Sequence, residues 1–125
     1  MERIFLLIGS ILAGLSVAGG AFASHALKDK LSDRALEIFE TGTRYQMYHG
    51  LALLLVALFL TRLETPSLAM IIAGSAFIIG ILIFSGSLYA LSLTDIKWLG
   101  AIAPLGGAAF LIGWISLAIA AWEIK

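Results

Sequence analysis

The chain contains no cysteine, which removes disulfides, thiolate nucleophiles and thiolate metal sites and leaves its redox compartment unmarked. Proline occurs only at Pro66 and Pro104, so little interrupts helix formation along the chain. Charge is equally scarce. It makes up 13% of the residues, against about a quarter in a soluble domain, and it sums to zero, so no basic field points to nucleic acid. What fills the sequence instead is apolar: 61% is hydrophobic and the mean hydropathy is +1.03. At 125 residues this is a single domain, 1–125. A soluble fold of that size leaves too much surface in water to hide so much apolar material. Lipid is the remaining solvent.

The eight basic and eight acidic residues fall in five groups: Glu2 and Arg3, Lys28 through Arg44, Arg62 and Glu64, Asp95 and Lys97, Glu123 and Lys125. Between them lie uncharged runs of 24 residues (4–27), 17 (45–61), 30 (65–94) and 25 (98–122). A helix crosses the hydrocarbon with about 20 apolar residues. The runs are too long and too uniform for the alternating strands of a membrane barrel, and backbone amides in lipid must be satisfied within the segment. The pattern predicts an all-α membrane protein: a four-transmembrane-helix antiparallel bundle with spans near 4–24, 45–61, 67–91 and 99–122. Ala21-Phe22-Ala23 resembles a signal-peptidase site. However, the apolar stretch before it is long for a signal peptide and is punctuated by glycine, so it is read as a span.

Within that frame Ser32 is expected to cap a short amphipathic interfacial helix over about 32–41, with Asp33 in its first turn and Gly42 ending it. Small residues at Gly9, Gly14 and Gly20 of the first span, Gly86 of the third, and Gly106 and Gly107 of the fourth suit close helix packing. Pro104 either kinks the fourth helix or marks where its regular part begins. Trp98 and Trp122 bracket that helix like interfacial anchors.

Because chain direction reverses at each span, one membrane side collects His25, Arg44, Tyr45, Gln46, His49, Ser85, Ser87 and Tyr89. The other side is nearly all Leu, Ile, Ala and Gly. Tyr45, Gln46 and His49 stand three or four apart and can share a helical stripe. Polar groups at that depth are costly and usually face a cavity or a partner. Plain structural roles compete at each position. The tyrosines suit the headgroup level, the serines suit close packing, and His49 suits a satisfied hydrogen-bonding residue. No acid orients His49 for a triad. Two histidines without cysteine or an intramembrane carboxylate make a poor zinc site, and no cofactor is called for.

Two stretches, Gly20-Ala21-Phe22-Ala23-Ser24-His25-Ala26-Leu27-Lys28 and Phe39-Glu40-Thr41-Gly42-Thr43-Arg44-Tyr45-Gln46-Met47-Tyr48-His49-Gly50, resemble the domain-of-unknown-function 423 family, whose relatives include eukaryotic transmembrane protein 256. Phe84-Ser85-Gly86-Ser87-Leu88-Tyr89 and Ala103-Pro104-Leu105-Gly106-Gly107 are similar to it further along. Ala23-Ser24 departs from the glycine expected in the first motif, which puts only local packing in question. The resemblance implies a small multi-spanning protein and supplies no activity.

Two readings of function follow. In the first, the polar end binds a lipid headgroup, small anion or ion, with Arg44 meeting the anionic group. In the second, the chain is a structural or assembly protein that packs on itself or a membrane partner through glycine-rich helices. No credible catalytic set supports an enzyme. The expected surroundings are the lipid bilayer of a bacterial cytoplasmic membrane. Lys28, Lys30, Arg34, Arg44 and Lys97 against Arg3, Arg62 and Lys125 put the 25–44 loop in the cytoplasm.

Overall fold

The computed structural model describes residues 1–124. Lys125, counted above for orientation, lies outside the described residues. The chain is helical almost throughout. Helix α1 (Glu2–Phe22) runs on through a π-helical turn, Ala23–Leu27. Helix α2 spans Asp33–Arg62. Helix α3 (Leu68–Gly80) passes through a second π turn, Ile81–Ser85, into α4 (Gly86–Thr94), making one continuous rod. A 3₁₀ turn, Lys97–Ala101, leads to α5 (Ala103–Glu123). Three of these rods, Glu2–Leu27, Leu68–Thr94 and Lys97–Glu123, are long and apolar enough to cross a membrane.

The ends of the helices follow local chemistry. Ser32, with extended backbone, accepts a hydrogen bond from the Ala35 amide at 3.1 Å, satisfying one orphan donor of α2. Ser67 does the same for Met70 at 3.4 Å, one residue after Pro66. Asp95 takes the left-handed conformation, φ 57°, and stops α4. Pro104 lies in the first turn of α5, where its missing amide would be unpaired anyway. The regular helix therefore begins there and is not kinked by it.

One expectation is corrected. The segment over 32–41 is not a separate helix, and Gly42 does not end it: α2 runs unbroken for 30 residues, about 45 Å at the helical rise. A mid-helix glycine costs up to about 1 kcal/mol relative to alanine, and here a contact offsets it. A Cβ on Gly42 would stand 2.7 Å from the Tyr89 ring, so the bare glycine makes room for that ring. The apolar face of the segment is covered as well. Phe39 is buried in a cluster with Ala23 and Leu27, flanked by Leu31, Leu36 and Tyr89.

Neighbouring rods meet in opposite residue order. Gly9 packs on Leu54, Gly50 on Ala13 and Gly19 on Thr43. Between the third and fourth rods, Gly80 seats Phe110, Gly113 seats Phe77 and Gly106 presses on the Phe84 backbone. A Cβ at Gly14, Gly20, Gly86 or Gly107 would meet nothing within 4 Å, so these four glycines do not pack within the chain. Gly14 and Gly86 are exposed, and Gly20 and Gly107 are half-buried. The main core gathers Phe5, Leu53, Val56, Met70, Phe77 and Phe110. Outward, all four rods show aliphatic side chains, among them Leu7, Leu55, Leu82 and Ile115, each 43% exposed or more.

Candidate functional site

The middle of α2 carries the polar side chains into the bundle, and its partners reach it from both sides. Gln46, 5% exposed, bridges two helices. Its Nε2 donates to the Leu12 carbonyl of α1 at 2.7 Å, and its Oε1 accepts the Tyr89 hydroxyl of α4 at 2.6 Å. One turn back, the carbonyls of Gly42 and Thr43 each accept a serine: Ser85 from the π turn at 2.7 Å and Ser16 from α1 at 2.6 Å. These are helix carbonyls using their second lone pair. The π turn widens the helix where Ser85 must reach across, as such turns often do at irregular contacts.

His49 is buried one turn further along α2. Its Nε2 lies 3.0 Å from the indole Nε1 of Trp114 on α5, and its Nδ1 lies 2.8 Å from the Tyr45 carbonyl. An indole can only donate. Nε2 is therefore the acceptor, Nδ1 carries the proton, and the ring is the neutral Nδ1–H tautomer with both nitrogens occupied. Phe110 stacks on it, centroids 3.6 Å apart and planes 8° from parallel, with Phe77 at 5.5 Å. Tyr45 rests on Phe84 at 4.9 Å. Among the described residues no buried side-chain nitrogen or oxygen lacks a hydrogen-bond partner.

Of the residues singled out by sequence, the structure brings Gln46, Ser85 and Tyr89 into one network, with His49 and Tyr45 beside it. Ser87 turns back to its own helix, donating to the Phe84 carbonyl at 2.9 Å. His25 and Arg44 stay out. His25 is exposed at the π turn of the first rod, and Arg44 is exposed with its guanidinium 3.2 Å from Thr41 Oγ1. Arg44 shares the level of the network but not its face, and His25 lies thirteen residues beyond Leu12 on the first rod, about 20 Å further along the axis. Sequence reasoning missed Ser16, the Leu12 carbonyl and Trp114. A signal existed for Trp114. It lies mid-run, away from the ends where Trp98 and Trp122 stand, and a tryptophan at that depth needs a partner for its N–H.

Open space lies beside the network, not within it. A groove of about 410 Å³ is lined by Tyr45, Tyr48, His49, Phe84, Phe110 and Trp114. No group of three or more His, Asp or Glu able to hold a metal occurs among the described residues.

Aliphatic faces outward and polar groups paired inward are the arrangement expected of a small helical membrane protein. The comparisons agree. The chain belongs to the family described as protein of unknown function (DUF423), whose model matches residues 19–107. It is 48% identical over 118 residues to a UPF0382 membrane protein of Staphylococcus epidermidis, covering 94% of each chain. It is 45% identical over 119 residues to UPF0382 membrane protein YwdK of Bacillus subtilis, covering 95% of this chain and 96% of that one. No solved structure matches it significantly.

Proposed function

We propose that the protein is a structural component of the bacterial cytoplasmic membrane: a four-crossing antiparallel bundle whose polar end is an internal clamp and which docks on itself or on a membrane partner. The observation that carries this reading is the completeness of the hydrogen bonding. Gln46 ties α1 to α4, Ser16 and Ser85 grip adjacent carbonyls of α2, and both nitrogens of His49 are occupied. A site built to take a polar ligand keeps donors or acceptors unpaired for it, and leaving them buried and unpaired costs about 1–3 kcal/mol each. The α2 rod completes the four crossings, because its outward Leu51, Leu55 and Leu58 are as exposed as the aliphatics of its neighbours. Its charged first turns then stand beyond the hydrocarbon, about 30 Å thick.

Cross-linking in native membranes tests the docking role. A stoichiometric partner or a homo-oligomer supports it; a chain recovered only as a monomer under efficient cross-linking counts against it. The ligand-binding reading rests on one observation, the groove beside His49. It would take an apolar or aromatic molecule against Tyr45 and Phe110, with Tyr48 at its edge, and not the anion first expected at Arg44. Thermal stabilisation of the purified protein by such molecules, abolished in Gly107→Trp, would establish it.

A further inference from the structure

A cavity of about 800 Å³ is at the opposite end of the bundle, where the sequence shows almost only aliphatic residues. It lies between the end of α2, the start of α3 and the end of α5. Phe59, Leu68 and Ile72 are among its apolar walls, and Arg62 and Glu123 are at its mouth. Those two charges form no ion pair with each other among the described residues. Trp122, beside Glu123, is 91% exposed, which suits a side chain at headgroup level. Deeper in the cavity is Ser116, 9% exposed. Other helix serines, such as Ser10 and Ser92, return their hydroxyls to a carbonyl of their own helix. The hydroxyl of Ser116 has no hydrogen bond among the described residues; its oxygen is open to the cavity and so is not one of the sealed polar atoms, all of which are paired. Seven residues of helix separate it from Glu123, about 10 Å along the axis.

We propose that this cavity seats one phospholipid whose headgroup carries both a phosphate and an ammonium. A cation and an anion that line one opening without pairing complement a zwitterion, with Arg62 taking the phosphate by its planar fork and Glu123 the ammonium. The spacing to Ser116 matches the step from headgroup to acyl ester, so its hydroxyl donates to an ester carbonyl. An acyl chain then lies against Phe59, Leu68 and Ile72. This site is independent of the clamp at the other end and of the docking role.

The test is native mass spectrometry of the full chain in detergent, titrated with phosphatidylethanolamine or phosphatidylglycerol. The wild type should hold one phosphatidylethanolamine and prefer it over phosphatidylglycerol by about fivefold, the effect of roughly one well-placed charge near a membrane surface. Glu123→Gln should erase that preference. Arg62→Gln should weaken retention of both lipids, and Ser116→Ala should weaken phosphatidylethanolamine severalfold. Ile72→Trp, which fills the groove from an exposed position, should abolish the adduct while the thermal transition stays in place. Equal retention of the two lipids by the wild type, or an adduct that survives Ile72→Trp, overturns the proposal.

Discussion

Trp114 donates its indole N–H to Nε2 of His49 across 3.0 Å, joining the middle of α5 to the middle of α2. This bond fixes the imidazole as the Nδ1–H tautomer, since the other nitrogen already faces the Tyr45 carbonyl at 2.8 Å. Trp114→Phe keeps much of the packing on Phe77 but leaves Nε2 of a buried histidine without a donor. We expect a loss of about 1–3 kcal/mol, read by denaturant unfolding in detergent. Nitrogen NMR of the wild type should show a proton on Nδ1 and none on Nε2. A signal from the opposite tautomer would break the assignment.

The relay from Tyr89 through Gln46 to the Leu12 carbonyl makes a second prediction. Tyr89→Phe and Gln46→Leu should each destabilise by about 1–3 kcal/mol, because each leaves a buried polar group unpaired. The double variant should cost clearly less than the sum, because it removes both ends of the Tyr89–Gln46 bond, and the cycle reads that coupling. Tyr45→Phe is the control. Tyr45 is 38% exposed and contributes ring contacts to Phe84 and His49. Its variant should unfold like the wild type, and a loss matching that of Tyr89→Phe would contradict the network as described.

These contrasts show how far the sequence could be read. Charge-free runs locate three of the rods and the apolar half of α2, and Ser32 caps the helix that starts after it, because both signals are local. The end of the bundle rich in polar residues is legible too, since reversal of direction fixes which ends of the rods lie together. Which face of a helix a residue occupies is not fixed by that argument. It needs the register of two helices together, which is why Arg44 shares the level of Gln46 without joining its network, and why His25 lies about 20 Å beyond that level. The supposed break at Gly42 failed for a related reason. Thr-Gly-Thr reads as a stop when taken alone, and only the ring of Tyr89, 47 residues later, turns it into a packing position. Trp114 was hidden by the same uniformity that made the fourth run easy to find.

Glycines separate into two classes with opposite expected outcomes. At Gly106 an added methyl would press on the backbone of Phe84, its Cα 2.7 Å away. Backbone cannot rotate aside as a side chain can, so Gly106→Ala should destabilise by about 1–3 kcal/mol. Gly14→Ala and Gly86→Ala meet nothing within 4 Å and should leave unfolding unchanged or raise stability by up to about 1 kcal/mol through helix propensity. The same two variants bear on the docking role. If either face seats a partner, its alanine variant will lower the cross-linking yield while the isolated chain stays as stable as before.

The crossing by α2 decides the topology and can be tested without background labelling, because the chain has no cysteine of its own. Lys30→Cys lies before α2, Glu64→Cys after it, and Asp95→Cys after the third rod. All three positions are exposed in loops or at a helix end. If all four rods cross, a membrane-impermeant maleimide applied to intact cells should reach Glu64→Cys alone. The other two should react only in inverted vesicles, in keeping with the excess of Lys and Arg on their side. Labelling of Lys30→Cys and Glu64→Cys from the same side would mean that α2 does not cross. Its exposed Leu51, Leu55 and Leu58 would then need a protein partner in place of lipid.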